Sequence, residues 1–194
     1  MSSHLNNTCQ FIAAWMRSPL KMGAALPSSK FLADAMAQQV DISREGVIVE
    51  LGAGTGVVTR SLLDSGTQAD KLLVIEREKQ LHALLQSSFP DLKILCADAL
   101  ELANVLSSAG IKKVNAIVSS LPFLSMPDSV RRGIQEQMAK AIGADGVIIQ
   151  FTYGLQSPIN TYELKDYNLV GMRVKFVLLN VPPAHVWVYR KAPN

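Results

Sequence analysis

Three glycines at alternate positions form the most chemically specific pattern in the chain. Gly52, Gly54 and Gly56 stand between an apolar run and a helical pattern. Glycines at such a turn permit positive φ and let a ligand approach the backbone, and the free amides of the helix N-terminus favour an anionic group. The dinucleotide fingerprint G-x-G-x-x-G would require glycine at Val57. The turn therefore predicts a ligand site that departs from the pyrophosphate loop.

Acidic residues follow the same strand ends. Glu50 directly precedes the glycines, Glu76 ends the second apolar run, and Asp98 follows the third. Glu76 lies at about the position from which an acid binds ribose hydroxyls in nucleotide-binding sheets, and one carboxylate can accept hydrogen bonds from both hydroxyls. Each acid could instead cap a helix, and Asp98 precedes a helical Ala-Leu-Glu-Leu run. Their occurrence at successive strand ends favours one cofactor site at the carboxyl edge of a sheet.

The elements that must position these residues alternate regularly after residue 46. Short β-branched runs are continuous rather than alternating, as expected for strands covered on both faces, and helical patterns separate them. This order predicts a parallel, doubly wound sheet. The last two runs, residues 174–179 and 185–189, are joined by five residues and must be antiparallel. The predicted parallel strands are residues 47–51, 72–75, 92–96, 114–118 and 147–152, and a helix is predicted from Pro127 and Asp128 to a stop at Gly143.

Composition sets limits on the class of protein. The chain has 194 residues, of which 48% are hydrophobic and 18% charged, which suits one globular domain with its own core. The formal net charge of +3 is too small to demand a nucleic-acid partner, and no DNA partner is expected. Residues 1–33 and 167–194 contain basic residues and no acid. These basic ends either meet an anionic group such as a lipid headgroup or are ordinary solvated charge.

Cysteine usage and hydropathy indicate the compartment. Cys9 and Cys96 have no metal-ligand spacing, so no metal site is expected, and Cys96 is predicted to be buried. No secretory signal and no apolar run long enough to span a bilayer are recognised. The sequence therefore predicts a cytoplasmic protein that is soluble or lies on a membrane surface.

The segment Glu50-Leu51-Gly52-Ala53-Gly54-Thr55-Gly56 resembles motif I of class I S-adenosylmethionine-dependent methyltransferases. Their Rossmann-like fold is a doubly wound, mostly parallel seven-stranded sheet with a C-terminal antiparallel hairpin. The resemblance implies that the motif I acid contacts the methionine end of S-adenosylmethionine, and that Asp98 takes the adenine amino group. The cofactor-binding residues it implies are Glu50, Gly52, Ala53, Gly54, Thr55, Gly56, Glu76, Arg77, Asp98, Ala99 and Ser119.

The segment after the fourth strand, Ser119-Ser120-Leu121-Pro122-Phe123, looks like the Asn-Leu-Pro-Phe segment of ribosomal RNA adenine dimethyltransferases. In those enzymes the amide oxygen takes the amino hydrogens and the aromatic ring stacks on the base. Ser120 stands where they have Asn, and a hydroxyl cannot present the same carbonyl geometry to a planar amine. They also carry a helical domain after the catalytic one, for which this chain ends too soon. RNA adenine N6-methylation is therefore the second hypothesis.

A wider set of segments is similar to the small bacterial phospholipid N-methyltransferases: residues 16–19, 25–33, 119–127, 150–154 and 180–184. The resemblance implies methylation of phosphatidylethanolamine toward phosphatidylcholine at a membrane surface. Two catalytic candidates follow from it, Ser120 and Tyr153. The tyrosine hydroxyl could orient the amine, or its ring could form an aromatic lid over the site. A third hypothesis, from another class, is a non-catalytic S-adenosylmethionine-binding module.

The N-terminal segment, residues 1–33, carries a predicted helix over residues 5–16, ahead of a catalytic core at residues 46–194 in a single domain. Its apolar side includes Trp15 and is followed by Arg17 and Lys21, which describes an interfacial helix on anionic lipid at the inner face of the membrane. The alternative is a helix that packs over the cofactor cleft. The residues expected to contact substrate or membrane are Trp15, Arg17, Lys21, Ser28, Pro122 and Phe123.

Overall fold

The structure, a computed structural model, describes residues 29–193. The predicted N-terminal helix lies outside the described residues, as do four of the expected substrate or membrane contacts, namely Trp15, Arg17, Lys21 and Ser28. In the described part of the chain, no helix has the length and apolar character needed to cross a bilayer.

Seven strands form one sheet in the order β3-β2-β1-β4-β5-β7-β6. Strands β1 to β5 are parallel, whereas β7 is antiparallel to both β5 and β6. The predicted Rossmann-like fold with its C-terminal antiparallel hairpin is confirmed. The strands are β1 (Val47–Leu51), β2 (Leu72–Glu76), β3 (Lys93–Cys96), β4 (Val114–Ser119), β5 (Val147–Thr152), β6 (Leu169–Val177) and β7 (Ala184–Lys191).

Helices cover both faces of this sheet. Alternate strand residues point to opposite faces, so Ile48 belongs to the core cluster that includes residues of α1 to α3, and Val49 to the cluster that includes residues of α4 and α5. Every residue of β2, β4 and β5 is buried, because the helices exclude water from both sides. The helices are α1 (Lys30–Ala37), α2 (Val57–Asp64), α3 (Lys79–Ser88), α4 (Leu102–Ser108), α5 (Asp128–Ala141) and α6 (Thr161–Asp166), with short 3-10 helices at Ala69–Lys71, Ala99–Glu101 and Phe123–Ser125.

Two predictions at the edges of the sheet are wrong. Strand β6 begins at Leu169 rather than residue 174, and Leu178 and Leu179 belong to the following turn. As an edge strand it is largely exposed, so its sequence shows neither the continuous nor the alternating apolar pattern that marks a buried strand. Cys96, predicted to be buried, is exposed because β3 forms the opposite edge.

The β6–β7 hairpin turns at the same edge as the glycine turn. Thr152, the last residue of β5, pairs with His185 near the start of β7. The hairpin tip, residues 178–183, therefore lies at the carboxyl edge of the parallel strands. Asn180 joins this tip to the start of α1, because its Oδ1 accepts a hydrogen bond of 2.9 Å from the backbone N–H of Ser29. Its Nδ2 donates to the carbonyl of Pro182 at 2.7 Å.

Candidate active site

The glycine turn links the end of β1 to α2 in a left-handed backbone conformation. Gly52 has φ +70°, and an ideal Cβ there would lie 2.7 Å from Leu121 Cδ2. Gly54 has φ +58°, but an ideal Cβ there would have no atom within 4 Å. Backbone conformation favours glycine at both positions, and at Gly54 the adjacent space is open. The turn therefore leaves room for a ligand to approach its backbone closely.

The other residues of the turn lie around this space. Ala53 is buried, Thr55 is half-buried, and Gly56 directly precedes the first residue of α2. The N–H of Gly52 donates to the carbonyl of Ile75 on β2 at 2.9 Å. This bond fixes the start of the turn to the neighbouring strand, beside Glu76.

Glu50 is fully buried beneath the turn. Its Oε2 accepts a hydrogen bond of 2.7 Å from Thr59 Oγ1 on α2, whereas Oε1 has no partner among the described residues. The pKa of the Glu50 carboxyl is raised to about 8, chiefly by burial; the Thr59 hydroxyl opposes this rise and the nearby Glu76 carboxylate adds to it. A cation placed at Oε1 would stabilise the ionised carboxylate. The side chain is thus prepared for a positively charged ligand.

Glu76 connects the end of β2 to the glycine turn. Its Oε2 accepts a hydrogen bond from the N–H of Gly54, and its Oε1 accepts one from the N–H of Glu78, each at 2.9 Å. A carboxylate has further lone pairs beyond these two bonds. It can therefore hold the turn and still accept hydrogen bonds from ligand hydroxyls.

Asp98 caps the 3-10 helix after β3, as one of the sequence alternatives anticipated. Its Oδ1 accepts from the N–H of Leu100 at 3.0 Å, and its Oδ2 lies 3.3 Å from Arg77 Nη1. Arg77 is exposed, whereas Ala99 is buried at the start of the 3-10 helix. The structure therefore brings Glu50, Glu76 and Asp98 to the ends of three strands that lie side by side in the sheet.

Ser119 and Ser120 end β4 with two different environments. Ser119 is fully buried, and its Oγ accepts from the N–H of Leu121 at 3.4 Å. The N–H of Ser120 donates to the carbonyl of Leu51 on β1 at 2.9 Å, which fixes its backbone beside the glycine turn. Its Oγ is buried and has no hydrogen-bond partner in residues 29–193. Ser120 is thus the serine of this pair whose hydroxyl lacks a hydrogen-bond partner among the described residues.

Tyr153 presents a second hydroxyl of the same kind at the end of β5. Its ring packs edge-on against Phe151, with ring centroids 5.3 Å apart. The hydroxyl is buried and makes no regular hydrogen bond to residues 29–193, although the Asn180 side chain lies close to it. Burial raises the pKa of Tyr153, and the nearby Asn180 side chain offsets only part of this rise. The hydroxyl is therefore neutral at physiological pH. Because β4 and β5 are neighbours, it lies on the strand next to that of Ser120.

Phe123, which the sequence predicts to contact substrate or membrane, is buried in the structure. It is 3% exposed and packs in the core that includes Ile134 and Met138, because the 3-10 helix after β4 turns its ring inward. Pro122 is half-buried at the start of that 3-10 helix. The next residue, Leu124, is 66% exposed instead.

Three further residues organise the site without having been predicted. Thr59 holds Glu50, Asn180 holds the hairpin tip, and Gln150 donates through Nε2 to the carbonyl of Leu121 at 3.0 Å. The last bond joins β5 to the loop that packs over the glycine turn. Thr59 follows the last glycine by three residues, a spacing that places it in the first turn of α2. The other two partners are distant in sequence and carry no local signal.

The sheet order and the glycine turn define a class I S-adenosylmethionine-dependent methyltransferase. The fold is similar to that of the magnesium protoporphyrin IX methyltransferase from Synechocystis PCC 6803 with bound cofactor, with a TM-score of 0.65 and 10% identity over 84% of this chain and 79% of that chain. It is also similar to a TehB-like methyltransferase from Corynebacterium glutamicum ATCC 13032, with a TM-score of 0.63 and 15% identity over 96% and 98%. At such identities the likeness shows the fold alone.

Sequence comparison shows the family. Residues 22–138 match the ribosomal RNA adenine dimethylase family, and the chain belongs to it. A probable ribosomal RNA small subunit methyltransferase A from Methanococcoides burtonii is 32% identical over 162 residues, which cover 78% of this chain and 53% of that protein. This chain thus spans about half the length of that relative. An ornithine lipid N-methyltransferase from Singulisphaera acidiphila is 26% identical over 145 residues, or 73% and 76% of the two chains.

Together the fold and the family make the chain an enzyme that uses S-adenosylmethionine as its methyl donor. The geometry fits this cofactor. Its methionine end carries a cationic amino group, for which the unpartnered Oε1 of Glu50 is a suitable acceptor. The open space at Gly54 lies directly beside the Glu76 carboxylate.

Proposed function

We propose that the chain transfers methyl groups to the amine headgroup of a phospholipid, converting phosphatidylethanolamine toward phosphatidylcholine at the inner face of the membrane. The observation that carries this proposal is a pair of buried, unpartnered hydroxyls, on Ser120 and Tyr153, at the ends of adjacent strands. Hydroxyl oxygens accept hydrogen bonds from the N–H groups of an amine.

The surroundings of these hydroxyls suit a neutral amine. Residues 120–127, 153–160 and 177–184 contain no aspartate, glutamate, lysine or arginine. No carboxylate from these segments favours the protonated ammonium, which has no lone pair with which to attack. For the primary amine, hydrogen bonds to Ser120 Oγ and Tyr153 Oη would use both N–H groups and leave the nitrogen lone pair free. Each transfer forms an ammonium, which loses a proton to solvent before the next transfer, and the dimethylated amine has no N–H left to donate. Methyl transfer depends mainly on such positioning and on the exclusion of water.

The cofactor half of the site holds the donor in this proposal. Glu50 binds the cationic methionine end, Glu76 accepts hydrogen bonds from ribose hydroxyls, and Asp98 lies on the adenine side. The backbone of the glycine turn lies between them, with Arg77, Ala99 and Ser119 at its margins. When bound, S-adenosylmethionine supplies an electrophilic methyl group on a sulfonium. The chain's own residues align the amine nitrogen with that carbon and exclude competing water.

Two observations favour a lipid amine over an adenine base. Ser120 stands where the RNA enzymes that the segment resembles carry Asn, and the ring of Phe123 is buried rather than free to stack on a base. The ornithine lipid N-methyltransferase relative also supports a lipid acceptor, because the activity in its name is the N-methylation of a lipid. The family match at residues 22–138 favours RNA adenine methylation as the second candidate.

Parallel assays with separate acceptors test the proposal. The purified chain is incubated with methyl-labelled S-adenosylmethionine and one acceptor at a time: phosphatidylethanolamine vesicles, ornithine lipid vesicles, or unmethylated ribosomal RNA. We expect label in the phosphatidylethanolamine extract, as mono-, di- and trimethylated headgroups. Label confined to RNA would establish the second candidate instead. Label confined to ornithine lipid would keep the lipid-amine chemistry and correct the headgroup.

A further inference from the structure

Five large apolar side chains project into solvent at the carboxyl edge of the sheet. This apolar rim consists of Leu124, Leu155, Leu178, Leu179 and Val181, each of which is at least 65% exposed. Single exposed apolar residues are normal on a protein surface, whereas a group of them marks an interaction site. The rim is therefore suited to a partner that can bury aliphatic side chains.

The rim residues come from three loops that converge beside the acceptor hydroxyls. Leu124 follows β4, Leu155 follows β5, and the other three lie in the tip of the β6–β7 hairpin. An ideal Cβ at Gly154 would lie 3.5 Å from Leu124 Cδ1, so the first two loops are in contact. The hairpin tip reaches the same edge because Thr152 pairs with His185. The rim thus lies at the edge where Ser120 and Tyr153 present their hydroxyls.

Basic side chains flank the rim on the hairpin. Arg173 and Lys175 lie on β6, are exposed, and form no ion pair within residues 29–193. Lys175 is two residues from the end of the strand, or about 7 Å from it at the rise of a β-strand. No acid occurs from residue 167 to the C-terminus. An uncharged apolar surface with a basic border is complementary to a bilayer that carries anionic lipid.

We propose that the apolar rim inserts into the interfacial layer of an anionic bilayer, while Arg173 and Lys175 contact the headgroups. The acceptor site then faces the membrane, so a lipid can present its amine while its acyl chains stay in the bilayer. This inference rests on the proposed lipid acceptor. Five apolar side chains and two cations provide weak, reversible binding, which allows the enzyme to move from one lipid to the next.

Charge distinguishes the bilayer from other occupants of the rim. A second copy of this chain would bring its own Arg173 and Lys175 to the same border, and like charges repel. Residues 1–28 carry Arg17 and Lys21 and no acid, so that segment does not complement the basic border either. An anionic bilayer complements both the basic border and the apolar surface.

Vesicle co-sedimentation of the full chain tests the inference. The vesicles contain phosphatidylethanolamine and phosphatidylglycerol, and no cofactor is added. The rim variant is L178E/L179E. The matched control is V170E/M172E, which makes the same charge change at exposed positions of the same hairpin, farther from its tip. We expect the rim variant to lower the vesicle partition coefficient about tenfold or more and the control to lower it about twofold.

The sedimentation of the two variants decides whether the apolar rim binds the bilayer. Wild-type sedimentation that is lost in the rim variant alone supports the inference, provided that both variants keep the wild-type thermal midpoint. Equal sedimentation of the rim variant and wild type, equal loss in both variants, or no binding of wild type would overturn it. Methyl transfer to lipid is measured separately. A wild-type chain that binds vesicles and methylates no lipid contradicts the proposed function, while the rim result stands.

Discussion

At the carboxyl edge of the sheet, the β1–β2–β3 side carries three carboxylates, whereas the β4–β5–β7 side carries neutral hydroxyls among apolar loops. On the first side, Glu76 and Asp98 already accept hydrogen bonds from backbone N–H groups of their own chain. On the second side, the hydroxyls of Ser120 and Tyr153 have no partner in the described structure.

Under the proposed function, this difference separates donor binding from acceptor binding. The carboxylate side suits a polar, cationic ligand that needs several hydrogen-bond acceptors at once. The hydroxyl side suits a neutral amine attached to an apolar body, because burial there removes water without supplying charge. Glu50 differs from the other two carboxylates on the first side, because its buried Oε1 accepts no hydrogen bond from the described residues. The following substitutions test whether donor and acceptor binding can be separated along this boundary.

Loss of the Glu50 charge should have the largest effect. Glu50→Gln keeps the shape and the contact with Thr59 but removes the charge that faces the cationic end of the cofactor. Truncation of a buried charged pair costs about 2–5 kcal/mol, so we expect the dissociation constant for S-adenosylmethionine to rise on the order of 100-fold. Isothermal titration calorimetry measures this. The exposed Glu45→Gln serves as control, and a change below about threefold in both variants would contradict the role.

The same carboxyl predicts how stability of the cofactor-free protein depends on pH. Its folded pKa of about 8 lies above the ordinary glutamate value of 4.5. The folded state therefore holds a proton that the unfolded chain releases, and this stability is complete below pH 4.5 and is lost as pH rises through about 8. We expect Glu50 to lower the free energy of unfolding by about 1 kcal/mol per pH unit within that window.

Urea unfolding at several pH values measures this slope. Glu50→Gln carries no titrating proton at the site, so its curve should be flatter than that of wild type between pH 5 and 8. Saturating cofactor should flatten the wild-type curve as well, because the cation stabilises the ionised carboxylate. Parallel slopes for wild type and the variant would show that Glu50 titrates normally.

A smaller effect is expected on the acceptor side from Tyr153→Phe. Removal of the hydroxyl should lower kcat for methyl transfer about tenfold while cofactor affinity stays unchanged, because the group orients the amine and not the donor. The exposed Tyr162→Phe is the matched control. Equal losses of turnover and cofactor affinity would instead assign Tyr153 to packing over the whole site.

The smallest effect is expected from Ser120→Ala. Its hydroxyl provides one neutral hydrogen bond, so kcat should fall about threefold to tenfold. Ser125→Ala, at an exposed position in the following 3-10 helix, should leave kcat unchanged. Steady-state kinetics on phosphatidylethanolamine vesicles measures both variants. A Ser120→Ala enzyme as fast as wild type would contradict a hydrogen bond between the amine and Ser120 Oγ.

The carboxylate side could be predicted from sequence because its signals are local. Each acid stands at or just after the end of an apolar run, and the glycine turn follows one of them within a few residues, so strand and helix patterns alone place them at one edge. The sheet type followed from the same alternation. These features depend on neighbours along the chain.

The hydroxyl side and the sheet edges depend on strand order, which sequence periodicity does not contain. Cys96 is exposed because β3 lies at one edge of the sheet. The predicted start of β6 lies too far along the chain because β6 forms the other edge and its exposed residues show no strand pattern. The bond between Asn180 and Ser29 joins residues 151 positions apart. Phe123 turns inward through a 3-10 helix that no pattern marked. The apolar rim emerges only when three separate loops meet.

One competition assay tests whether the hydroxyl side receives a lipid amine. The full chain is incubated with methyl-labelled S-adenosylmethionine, phosphatidylethanolamine vesicles and unmethylated ribosomal RNA in the same reaction, and Glu50→Gln serves as the control for enzyme-dependent transfer. Extraction into organic solvent then separates labelled lipid from labelled RNA. We expect the label in methylated phosphatidylethanolamine and little in RNA. Label in adenine of the RNA, with none in the lipid, would contradict the account.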